Sequence, residues 1–129
     1  MGTTLVEYFI DELVDWNHLI ASDFGEMSVF ENKLAEVIQR NTIPNIAAKV
    51  EEQQNKLNAV SAKFKKLLIR IQQQEAAFKK DHTPIDDTLI NPESEKAQNG
   101  LRRSMQQTEK EYIDAKFDCY NFLSQIFRK

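Results

Sequence analysis

The chain has 129 residues, the size of one domain, and carries a net charge of −3. Three Gly, three Pro and abundant Gln, Lys, Glu, Ala and Leu make the composition of long helices and exclude a sheet protein. The single Cys excludes an intrachain disulfide, and no apolar run reaches the length of a membrane span.

The first element is helical, from about Thr4 to Asp23. Val6, Phe9, Leu13, Trp16 and Ile20 form one stripe, with Leu5, Tyr8 and Leu19 beside it. Thr3 or Thr4 can cap it, and Glu7 stands three residues after Thr4 as in a capping box. Gly25 reads as its stop. No basic segment precedes the first apolar residues, so a secretory signal is not expected, and Val6 stands where a myristoylation site requires Ser or Thr. Residues 1–32 hold seven acids and no Lys or Arg, whereas the remainder carries +4. An acidic helix docked beside basic ones accounts for this asymmetry; a bipolar surface guiding self-association is the alternative.

A second helix begins near Ser28, with Glu31 at capping-box spacing and Phe30, Leu34, Val37 and Ile38 on its apolar face. Pro44 disfavours a helical Ile43 and removes a backbone donor, and the apolar phase slips at the same place. Both signals mark a kink or short break, with Thr42 as cap of the continuation to about Lys80. Residues 81–90 are a loop. Asn91-Pro92-Glu93 starts a last helix, with Pro at its first position, that runs nearly to Lys129.

Two of these segments fit one another. Ile43, Ile46, Val50, Gln53, Leu57, Val60, Phe64, Leu67 and Ile71 step by three and four residues, as do Leu101, Met105, Thr108, Tyr112, Ala115, Cys119, Phe122 and Ile126. Paired antiparallel, Ile71 meets Leu101, Phe64 meets Thr108, Val60 meets Tyr112 and Val50 meets Phe122. The expected fold is therefore all-α: a single domain over residues 1–129, an elongated three- or four-helix bundle built on a long antiparallel coiled-coil-like hairpin. Gln74 opposite Gln98 suggests that the end near residues 81–92 is a looser, thinner two-helix projection. A second strip on the last helix, with Phe117, Tyr120, Leu123 and Phe127, needs a cover. Phe9, Trp16 and Ile20 of the first helix are the expected one.

Reactive constellations are sparse. Di-iron bundles need a Glu-x-x-His step on each of two helices, and this chain has two His in all. Asp15 and His18 make one carboxylate-x-x-His step and are the candidate metal ligands; a solvated helix face is the plainer reading. Cys119 lies on a seam, where Cys usually packs as a small hydrophobe. Lys63, Lys65, Lys66 and Arg70, with Arg102, Arg103 and Lys110 across the hairpin, form a basic stretch in which Arg70 and Arg102 should be close. Interleaved acids and the absence of a recognition module argue against nucleic acid. No Gly-rich phosphate loop, Gly-x-Ser-x-Gly or Cys-x-x-Cys is present.

Trp16-Asn17-His18-Leu19, then Phe30-Glu31-Asn32-Lys33-Leu34-Ala35-Glu36-Val37 and Arg40-Asn41-Thr42, resemble small bacterial all-helical proteins of this length that carry no assigned activity. The resemblance implies a bacterial source and a helical fold, and carries over no functional residue. The expected function is a non-enzymatic, cytoplasmic interaction or scaffold module without cofactor, acting through self-association, such as a homodimer, or a protein partner. Tyr8, Phe24, Tyr120 and Phe127 are its candidate surface residues. The alternatives are a metal- or small-ligand-binding bundle using Asp15 and His18, and a weak nucleic-acid binder using the basic stretch.

Overall fold

The computed structural model describes residues 5–40, 43–79 and 89–127. The described chain is all-α, with three helices: α1 (Leu5–Arg40), α2 (Ile46–Phe78) and α3 (Pro92–Phe127). At 1.5 Å per residue each is about 50 Å long.

The first helix does not stop at Gly25. α1 is one helix of 36 residues, so the expected break between two shorter helices is absent. The reason is periodicity. Val6, Phe9, Leu13, Trp16, Ile20, Asp23, Met27, Phe30, Leu34 and Val37 alternate steps of three and four without interruption. All ten are buried or half-buried. A stripe that long gains more from packing than one helical Gly loses, about 1 kcal/mol relative to Ala. Gly25 faces open space: a methyl group in place of its hydrogen would meet nothing within 4 Å.

The chain does break at Pro44. Asn45 takes a left-handed conformation (φ 66°), which Asn tolerates better than most residues, and α2 starts at Ile46. Lys49 N donates to Asn45 O at 3.2 Å. Thr42, the expected cap, lies outside the described residues, as do Thr3, Thr4, His82 and most of the 81–90 loop. Leu89 and Ile90 are described and pack against the core. The start of α3 is a reciprocal cap: Ser94 N donates to Asn91 Oδ1, and Asn91 N donates to Ser94 Oγ, both at 2.8 Å. Pro92 occupies the first helical position.

Three sets of cross-contacts fix the directions. α1 is antiparallel to α2: Phe9 lies against Phe78 (ring centroids 6.1 Å apart), Asn17 Nδ2 donates to Glu75 Oε1 (2.8 Å), and Phe24 lies edge-on to Phe64 (6.0 Å). α2 is antiparallel to α3: Gln74 meets Gln98, Arg70 meets Ser104, Lys63 meets Glu111 and Phe64 meets Tyr112. α1 is therefore parallel to α3, with Glu12 on Arg102 and Glu26 on Tyr112. The core runs along the shared axis through Leu13, Ile20, Leu34, Leu57, Phe64, Ile71, Leu101 and Tyr112. Each such side chain, fully buried, contributes roughly 1.5–3 kcal/mol of hydrophobic transfer.

These directions correct two expectations. Phe9 does not cover the late part of α3; it sits near the start of α3, where Gln98 donates to its carbonyl. The end near residues 81–92 is consequently not a thin two-helix projection, because the first turns of α1 pack on it. Gln98, expected at a loose end, is fully buried.

Candidate interaction surface

The strip on late α3 remains largely in water. Phe117 is 58% exposed, Tyr120 61% and Phe127 43%, whereas Leu123 turns inward. On α1, Val29 is 58% exposed and Phe30 half-buried. Val29, Phe30 and Lys33 form one wall of a groove of about 320 Å³, and Tyr120, Leu123, Ser124 and Phe127 form the other. Lys33 lies 4.0 Å from Glu36 on its own helix, and otherwise the groove is lined almost entirely by carbon.

A second groove, of about 520 Å³, runs between α2 and α3 over Ala59, Val60 and Ala115. It differs in kind. Lys56 pairs with Asp118 and Lys63 with Glu111 across it, so most of the charge on its rim is paired. Each of these exposed pairs is worth a fraction of a kcal/mol.

Beneath the surface, polar residues interrupt the core at several levels. Gln53, whose Oε1 has no partner among the described residues, is one of them, and two of these levels join α1 to α3. In the first, Gln98 Nε2 donates to Phe9 O (3.1 Å) and Glu12 Oε1 (2.9 Å), and Gln98 Oε1 accepts from Gln74 Nε2 (3.1 Å). Gln74 Nε2 also donates to Ser94 O (2.9 Å). Arg102 clamps Glu12 with two bonds of 2.7 Å. Burial alone would raise the Glu12 carboxyl, but hydrogen bonds from Arg102 and Gln98, with the Arg102 charge, hold it below the usual range. Every member of this layer has a partner, and it joins all three helices.

The second layer lies near the middle of α1. Asp23 occupies a seam position and is 5% exposed. Among the described residues, no donor reaches its Oδ2 or the buried Oε2 of Glu109 on α3. The register that sets Tyr112 on Glu26 puts Glu109 at the level of Asp23, so two acids share this part of the seam. Burial, then the Asp23 carboxylate, pushes Glu109 up to about 7; burial also raises Asp23. Beside them Tyr112 Oη donates to Glu26 (2.6 Å), and Lys116 Nζ reaches both Glu26 oxygens at 3.0 Å. These donors hold Glu26 below the ordinary carboxylate range.

The residues singled out in the sequence scatter over this framework. Tyr120 and Phe127 come together in the groove. Tyr8, 55% exposed, is at the opposite end beside Phe9, and Phe24 packs edge-on against Phe64 at the margin of the core. Asp15 and His18 lie on α1, away from the core stripe. Among the described residues, no group of three or more His, Cys, Asp or Glu is placed to hold a metal ion. Cys119 is fully buried, and burial pushes its thiol up to about 11, away from the thiolate. Arg70 reaches Ser104 on α3, while Arg102 bonds to Glu12 on α1. With Lys63 on Glu111 as well, three members of the basic stretch are engaged within the chain. Val29, Phe30 and Lys33 were not among the sequence candidates; the unbroken stripe of α1 is the signal that would have placed them beside α3.

No protein-family model matches the chain, and neither a curated protein nor a solved structure matches it. Among the described residues, no helix is long and apolar enough to cross a membrane.

Proposed function

We propose that the chain is a non-enzymatic helical interaction module, an elongated three-helix bundle on a coiled-coil-like α2/α3 hairpin, that works by presenting the α1/α3 groove. The observation that carries this reading is the exposed apolar strip of Phe117, Tyr120 and Phe127, continued on α1 by Val29. Exposed apolar patches of this kind mark contact surfaces. A second copy of the chain is the occupant that fits best. Two α3 strips laid antiparallel about Tyr120 bring Ile113 near Phe127 and Phe117 to the level of Leu123, as an isologous two-fold contact requires. A different protein offering an amphipathic helix would use the same groove.

Light scattering across a concentration series tests the proposal. The wild-type chain should dimerise reversibly, and Tyr120→Asp with Phe127→Asp should give a monomer of unchanged helicity. A wild-type chain that stays monomeric at every concentration, or a double variant that dimerises as tightly, would remove self-association through this groove.

A further inference from the structure

Asp23 and Glu109 are carboxyls from different helices that meet inside the α1/α3 seam. Asp23 is on the apolar stripe of α1 and more than nine-tenths buried, and one oxygen of each group has no donor. The cation beside them, Lys116, favours both ionised forms through its charge, but burial and the neighbouring acids oppose it. On α1 the neighbour is Glu26, which adds negative charge. On α3 the neighbours are Tyr112 and Lys116, and both spend their hydrogen bonds on Glu26. From α2 this level receives the Phe64 ring, and Lys63 next to it is bound to Glu111. Two ionised carboxylates here would face each other with nothing between them.

We propose that the Asp23–Glu109 contact is a proton-operated latch: with a proton held between the carboxyls the middle of α1 stays seated on α3, and loss of that proton unseats it. The latch stands whether or not the groove about two to three turns further along binds a partner. The sign follows from linkage. Glu109 titrates higher in the folded chain than in the unfolded one, so its stabilising contribution is full at acidic pH. That contribution is lost as pH rises from the ordinary carboxylate range to about 7, and little more is lost above it.

Amide hydrogen exchange of the full chain, corrected for intrinsic rates, tests it. Between pH 6 and pH 8 protection in residues 20–27 should fall roughly tenfold, the factor that linkage gives for this displacement. Glu109→Gln keeps a donor for Asp23 and cannot ionise, so it should remove the pH dependence. Asp23→Asn should shrink it, and serves if the first variant does not fold. Equal pH dependence in the wild type and a folded variant would overturn the latch, as would none in the wild type. The carboxyl titration of wild-type Glu109, followed by NMR, needs no variant: a midpoint well above the ordinary range supports the latch, and one within that range overturns it.

Discussion

The two polar layers sit in the same three-helix seam and have opposite character. At Gln98 every buried donor and acceptor is matched, and the bonds reach Phe9 and Glu12 on α1 and Gln74 on α2. At Asp23 two acids face each other, and the nearby donors serve Glu26 instead. A satisfied network fixes how three helices align, because sliding any one of them strands several buried groups at once. A pair of acids short of donors can hold the helices together only while it keeps a proton, so local stability there depends on protonation. Burial of polarity therefore does not have one meaning along this molecule; the hydrogen-bond partners decide it.

The comparison can be broken in order of expected effect. Gln98→Leu should be the most damaging single change. It leaves the Gln74 amide and the Glu12 carboxylate short of partners and should lower stability by about 3 kcal/mol in urea denaturation. A loss under 1 kcal/mol would show that the first layer is not a working network. Asp23→Leu should act in the opposite direction. It restores an apolar seam residue and removes a buried charge, so the chain should gain about 1–2 kcal/mol at pH 7.5, again read by urea denaturation. A loss of stability there would mean that Asp23 makes favourable contacts in solution that offset its burial. Gly25→Ala is the mildest. With open space around the new methyl and a helical backbone, it should raise the melting temperature, equivalent to about 0.5–1 kcal/mol. A drop would contradict the continuity of α1.

Much of α2 and α3 was legible because heptad spacing is written directly in their residues. The seam residues from Val50 to Ile71 and from Leu101 to Cys119 are all buried. Gln74 meets Gln98 as the antiparallel frame demands. α1 was harder to read because two local signals conflicted with its period. Gly25 resembles a stop, and Asp23 hides a seam position behind a charge. Tertiary packing along ten stripe positions overrode both. The error propagated, since a helix ending at Asp23 could be docked at either end of the hairpin, whereas a continuous helix leading into a break at Pro44 must run back along α2. Ile43 continues the seam spacing and is nevertheless exposed, because Pro44 and Asn45 hold it outside α2. The surface was legible on α3 alone: Tyr120 and Phe127 stand out by spacing, but their facing wall comes from α1. The Glu12–Arg102 clamp joins residues ninety positions apart and leaves no local trace.

Double-mutant cycles at pH 8 on the two acid-containing pairs put the difference between the layers to a direct test. Glu12→Gln with Arg102→Met should give a favourable coupling of about 2 kcal/mol, that of a partly buried bidentate ion pair. Asp23→Asn with Glu109→Gln should give an unfavourable coupling at the same pH. Couplings of the same sign at both pairs would contradict the account.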